Sequence, residues 1–258
     1  MTSRNWSTYQ QAIFAAVANP ASGSLIVQAV AGSGKTTTIV EALARAPAGT
    51  ESIFLAFNKA IAEELKSRGV NARTFHSLTY TPVLRATGAS KVDSNKLRTL
   101  TREWPRDKAA MYGTAACKLV GLARQEGVGC LADDTDAFWL ALIERHEIEP
   151  DSEEGTQGGM IAAARELLAA SNGSKLVDFD DLLYWAVLRN VPLPRFDLIM
   201  VDEAQDTNAI QRAILRKIMA AGSRIVAVGD PAQAIYGFRG ADSDSMADRK
   251  STRLNSSH

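Results

Sequence analysis

"SLIVQAVAGSGKTTTIVEALARA", residues 24–46, decides the fold. It opens on apolar and β-branched residues, crosses a short stretch of small residues around Gly32 and Gly34, and resumes with a helical pattern. Strand, small-residue loop, helix is the context that a phosphate-binding loop requires. Backbone amides of Gly32 to Thr36 can point inward at phosphate oxygens there, and the helix N-terminus adds its dipole. Lys35 would meet the β- and γ-phosphates, and Thr36 would offer a hydroxyl to Mg²⁺. Ala29 stands where the usual pattern begins with glycine. The candidate nucleotide cradle is thus Ala29, Val30, Ala31, Gly32, Ser33, Gly34, Lys35, Thr36 and Thr37.

Outward from this stretch, four more apolar runs read as strands: "SIFLAF" (52–57), "ARTFH" (72–76), "FDLIMVD" (196–202) and "RIVAVGD" (224–230). Most are continuous rather than alternating, as expected for strands buried on both faces of a parallel sheet. Helical patterns alternate with them. "KTTTIVEALARA" (35–46) follows the first strand, "NKAIAEELKSRG" (58–69) runs to a capping Gly69, and "NAIQRAILRKIMAAG" (208–222) runs to Gly222 before the last strand. The alternation predicts a doubly wound α/β domain. It breaks once. Between "ARTFHSLTY" and "FDLIMVD" lie only helical patterns, such as "AAMYGTAACKLVGLARQEG" (109–127) and "MIAAARELLAAS" (160–171), and "DSEEGTQGG" (151–159) reads as a flexible acidic turn. An inserted helical subdomain over about 86–175 is expected, within an α/β core of about 5–85 and 176–247.

The composition, 46% hydrophobic and 22% charged over 258 residues, is that of a globular protein with room for a sizeable core. No apolar run approaches the roughly 20 residues of a membrane span, and the N-terminus lacks a signal-peptide core, so a cytoplasmic location and no membrane partner are expected. Cys117 and Cys130 have no metal-ligand or redox spacing and are read as isolated buried thiols. Zero net charge means that any nucleic acid must be held by local contacts.

The last eleven residues, "DRKSTRLNSSH" (248–258), are the in-frame translation of a nucleotide string that resembles a common sequencing-library adapter. They are read as a non-native tail. Without Arg249, Lys250, Arg253 and Asp248 the chain is about −2, so the tail's basic character carries no functional meaning.

Two further stretches bear chemistry. In "FDLIMVDEAQD", Asp202 ends a strand, where a carboxylate can hold Mg²⁺ through water, and Glu203 can accept a proton from an attacking water. An acidic pair after a strand is also often only a turn; the upstream phosphate loop favours the catalytic reading. In "GDPAQAIYGFRGA" (229–241), Gln233 is placed to reach the γ-phosphate side, while Phe238 and Arg239 offer a stacking face and a phosphate partner. Together these describe a nucleotide triphosphatase with a nucleic-acid side.

Six motifs, "AVAGSGKT", "LAFNKAIAEEL", "TFHSL", "VDFDDLL", "VDEAQDTN" and "GDPAQAIYGFRGA", occur in an order that resembles the UvrD/Rep-like superfamily 1 DNA helicases, from about residue 5 to 245. The resemblance implies a RecA-like first motor domain, a P-loop NTPase sheet with a helical insertion, acting as an ATP-dependent 3′→5′ translocase on single-stranded DNA, with RNA left open. It implies that Gln10 in "STYQQAIF" contacts adenine, that Thr36 and Asp202 serve Mg²⁺, and that Lys35, Asp202, Glu203 and Gln233 carry ATP hydrolysis. It implies a DNA track of Phe57, Asn58, Thr74, Phe75, His76, Tyr236, Phe238 and Arg239. His76 is equally readable as an interior histidine, and Asp178, Asp180 and Asp181 as a helix-start signal that braces the insertion. Three departures from the family stand out: "LAFNKAI" shifts the aromatic by one position, Thr37 replaces an arginine, and Phe238 replaces a tryptophan. A second motor domain, with the arginines that complete the site, is expected beyond residue 247. Without it, weak Mg-ATP binding, poor hydrolysis and no unwinding are expected. A helicase–nuclease motor and a non-catalytic nucleic-acid-binding protein are the rival readings.

Overall fold

A computed structural model describes residues 5–28 and 35–229. The chain divides into two compact units, the first built from residues up to 75, 194–207 and from 217 onward, the second from 76–193 and 208–216.

The first unit is a sheet covered by helices. In chain order it holds α1 (Thr8–Ala18), β1 (Leu25–Gln28), α2 (Lys35–Ala44), β2 (Ser52–Leu55), α3 (Lys59–Ser67), β3 (Ala72–Arg73), β4 (Phe196–Val201) and β5 (Met219–Gly229). The five strands are all parallel, in the order β1-β5-β4-β2-β3. Central β4 is apolar and buried except at Asp197, as a strand covered on both faces must be. Edge strand β1 instead alternates between half-buried and exposed. Phe14, Val17, Ile39, Ala42, Leu65, Leu198, Met200 and Val226 form the core between sheet and helices. Ser7 and Gln10 close a capping box at the start of α1. At the other end of α1 the Arg224 guanidinium, from β5, donates to the carbonyls of Ala16, Val17 and Asn19 at 2.8–3.0 Å. A cation there satisfies orphan carbonyls and complements the helix dipole.

Gly69, at φ +83°, follows the Arg68 C-cap of α3. The expected helix before the last strand, α10 (Ala209–Ile218), ends four residues short of Gly222. Gly222 lies instead within β5, at φ +79°, where the pairing with β4 slips between Phe196 and Leu198. The slip loops out residues that would otherwise continue the helix, and the Ser223 hydroxyl pins it by donating to the Phe196 carbonyl at 2.6 Å.

The second unit is helical: α4 (Phe75–Thr87, its first residue in the other unit), α5 (Lys96–Thr101), α6 (Arg106–Glu126), α7 (Asp136–His146), α8 (Gln157–Gly173), α9 (Phe179–Leu188) and most of α10. Its core takes Ala116, Leu119, Trp139, Leu142, Leu167 and Trp185. The acidic turn expected to be flexible is docked: the Asp151 carboxylate accepts from the amides of Thr114 and Ala115, and its own amide donates to the Met111 carbonyl at 2.8 Å. Cys117 and Cys130 are free and half-buried rather than fully buried, and burial pushes both thiols up from their ordinary value. Among the described residues no helix is long and apolar enough to cross a membrane.

Candidate nucleotide and nucleic-acid site

Three neighbouring strands end at one edge of the sheet, each just before a candidate motif. Gln28, the last residue of β1, pairs with Gly229, the last of β5; two residues earlier Ala227 pairs with Val201, the last of β4. The segments that leave these strands begin side by side: the glycine-rich loop after β1, "DPAQ" after β5, the acidic pair after β4. At about 4.8 Å per strand the outer two are roughly 10 Å apart. The C-terminal edge of a parallel α/β sheet is where such folds bind ligands. Ala29 to Gly34, the Lys35 side chain, Gln233, Tyr236, Phe238, Arg239 and the tail lie outside the described residues.

Thr36 and Thr37 are half-buried in the first turn of α2. The Gln10 amide is fixed near them. Its Nε2 donates to the Thr38 hydroxyl at 2.7 Å and its Oε1 accepts from the Ser7 amide at 3.0 Å, which leaves one N–H and one lone pair for another group.

Asp202 follows β4, its amide donating to the Leu55 carbonyl at 3.1 Å as the strand ends. Glu203 adopts φ +45°, ψ +48°, the left-handed region, before a 3₁₀ turn over Ala204–Asp206. For a residue with a β-carbon that conformation costs on the order of 1–2 kcal/mol. Strain of this kind concentrates where a side chain must be aimed. Both carboxylates are half-buried. Gln205 Nε2 donates to Glu203 Oε2 at 2.8 Å. Nothing in the sequence pattern singled out Gln205; its spacing from Glu203 becomes a contact only because the turn is 3₁₀.

On the candidate nucleic-acid side, Phe57 is 61% exposed beyond β2. Asn58 is exposed but works as the N-cap of α3, its Oδ1 accepting from the Ile61 amide at 2.9 Å. Thr74 is half-buried. Phe75, expected on the same track, is 6% exposed at the start of α4. In the helical unit His76 is half-buried, its ring edge-on to Phe179 at 6.3 Å, and burial lowers its pKa, favouring the neutral imidazole. Phe179 is 55% exposed although it lies within "VDFDDLL", a motif read only for its carboxylates.

Those carboxylates start α9 and hold the helical unit together. Asp178 and Asp181 form a capping box. Asp178 Oδ2 accepts from Arg124 at 2.8 Å and Asp181 Oδ2 from Lys96 at 2.6 Å, and the side chains of Arg124, Lys96 and Asp181 are fully buried. The Lys96 ammonium also sits 4.2 Å from the centre of the Trp185 ring. Burial lowers the Lys96 pKa and raises that of Asp181, each partly offset by its partner. Asp180 is half-buried, its pKa raised by burial and by Asp178.

An acidic pair at the end of a parallel strand is an arrangement that many phosphate-handling folds share, so the motif set has to decide among them. Residues 9–252 match the model of the UvrD/REP helicase N-terminal domain. Similar curated proteins include DNA helicase IV of Escherichia coli (30% identical, 84% of this chain and 39% of that protein) and DNA helicase II of the same organism (29%, 90% and 34%). F-box DNA helicase 1 of Gallus gallus is 26% identical over 83% of this chain and 22% of its own length. The chain thus spans between about a fifth and two-fifths of these relatives. With its described sheet, its motif order and a family match over nearly its whole length, the chain belongs to the UvrD/REP helicase N-terminal domain family.

Proposed function

We propose that this chain is the ATP-binding motor domain of a DNA helicase that moves 3′→5′ along single-stranded DNA in the cytoplasm, its helical unit being an insertion in that motor. The observation that carries this reading is the level placement of the ends of β1, β5 and β4, from which the glycine-rich loop, the Gln233 segment and Asp202–Glu203 all depart. Gln10 contacts the adenine, and the loop from Ala29 to Thr37 cradles the phosphates with Lys35. Thr36 and Asp202 hold Mg²⁺. Their chemistry suits it: one hydroxyl and one carboxylate match a hard cation that keeps water and binds chiefly through the phosphates. Bound there, Mg²⁺ would neutralise charge on the β- and γ-phosphates. Glu203 takes the proton of the attacking water, and Gln233 senses the γ-phosphate.

Phe57, Thr74 and His76, with Tyr236, Phe238 and Arg239, form the single-stranded DNA side, where aromatic faces stack on bases and arginine meets phosphate. Asn58, which also caps α3, and Phe75 belong to the same proposed track. The whole protein carries a second motor domain whose arginines complete the site, a contribution worth roughly 10³–10⁵ in rate. Alone, this chain binds Mg-ATP weakly, hydrolyses it poorly and unwinds nothing.

Fluorescent mant-ATP titration tests the nucleotide site: the wild-type chain binds in the presence of Mg²⁺, and Lys35→Ala weakens binding at least tenfold. Equal affinity in the two proteins overturns the reading. Robust DNA-stimulated turnover by a chain ending at Ala247 overturns the need for a second domain.

A further inference from the structure

Gln205 sits between two features of the candidate site and touches both. Its Nε2 lies 2.8 Å from Glu203 Oε2. A carboxylate accepts hydrogen bonds and donates none, so the amide nitrogen must be the end that faces Glu203. This turns Oε1 the other way, where it is buried and has no hydrogen-bond partner among the described residues. There it meets the end of β5: a β-carbon added to Gly229 would lie 2.2 Å from Gln205 Oε1. Gly229 is not in the left-handed region, so the glycine is needed there for close approach and not for its backbone freedom.

Each element is costly by itself. A buried carbonyl with no donor among the described residues is disfavoured, a glycine in a strand packs poorly, and Glu203 carries a left-handed backbone. A leucine or methionine at 205 would remove the first cost at similar volume. The three costs converge on the orientation of one carboxylate.

We propose that Gln205 is a positioning residue for the Glu203 carboxylate, and that Gly229 leaves the space that keeps the Gln205 amide in place. This rests on the reading of Glu203 as the base that takes the proton of water. Because Gly229 immediately precedes the "DPAQ" segment, a shift at the end of β5 would move the Gln205 amide and hence the base. The amide is in effect a rod between the strand that leads to Gln233 and the group that activates water.

The test uses the full-length protein that carries this domain, with ATP hydrolysis measured at saturating single-stranded DNA, and Glu203→Gln as the reference. Gln205→Met is expected to lower kcat at least tenfold, leave KM for ATP within twofold and leave the thermal midpoint equal or higher, a split that a merely structural role would not produce. Gly229→Ala is expected to lower kcat similarly, and the double variant Gln205→Met/Gly229→Ala to fall no further than either single one. Unchanged kcat in Gln205→Met, or fully multiplicative losses in the double variant, overturns the positioning role. Should Glu203→Gln itself retain wild-type kcat, the assignment of the base fails instead, and the proposal with it.

Discussion

Two acidic clusters in this chain look alike on paper and have opposite fates. "LVDFDD" and "MVDEAQD" both place carboxylates directly after apolar residues. In the helical unit Asp178 and Asp181 turn inward, cap α9 and meet Arg124 and Lys96, all but the edge of Asp178 sealed from solvent. In the sheet unit Asp202 and Glu203 stand half-buried at the end of β4, on a backbone bent into a costly conformation. The difference is the partner the local structure supplies. A helix start offers carboxylates their amides, and two buried cations offer them charge. At the strand end Glu203 instead accepts from the Gln205 amide, and neither carboxylate is sealed. Charge buried and paired holds the helical unit together, whereas the half-buried pair beside strained backbone is the one proposed for chemistry.

The sharpest way to break this contrast is to remove one member of each cluster. Asp181→Ala deletes half the capping box and leaves the buried Lys96 ammonium uncompensated, so it is expected to destabilise the chain by about 3–5 kcal/mol in urea unfolding. Glu203→Gln is expected to change stability by less than about 0.5 kcal/mol. Equal costs in the two variants would erase the distinction. A smaller loss is expected at the docked acidic turn: Asp151→Ala removes the acceptor for the Thr114 and Ala115 amides and is expected to cost about 1–2 kcal/mol in the same measurement. No change there would mean that α6 closes its own ladder without help.

The smallest effect concerns pH. Burial holds the His76 pKa below 6.5, so the unfolded chain takes up that proton first as the solution is acidified. The His76 contribution to stability is therefore fully present above pH 6.5 and lost as pH falls from there through the lowered folded value. In His76→Gln this part of the acid slope is expected to vanish, while stability at pH 8 changes little. Unfolding curves across the acid range compare the two, and a parallel pH dependence would show that His76 ionises as freely as in the unfolded chain.

How much of this was legible beforehand differs between the same two regions. All five strands, most helices and their alternation follow from apolar runs and period, since burial on both faces of a parallel sheet imposes a continuous pattern that few other environments demand. The slip in β5 was not legible. "KIMAAG" suits a helix by propensity, and only pairing with β4 and the bond from Ser223 turn Met219 to Gly222 into strand. Phe75 and Phe57 are both aromatics near strand ends, and no local signal says that one is buried and the other exposed. Lys96 and Arg124 read as ordinary surface charges of amphipathic helices, because their burial depends on carboxylates 85 and 54 residues away.

By itself, then, the sequence determined the parallel α/β sheet, the order of its motifs and the family, because glycine spacing, strand-end carboxylates and apolar runs are short-range constraints. Only the tertiary structure decided which carboxylates are sealed and which stay half-buried, that the acidic turn is docked, and that Gln205 lies between Glu203 and Gly229. Those are distances between residues far apart in the chain, set by strand order and packing, and no local pattern encodes them.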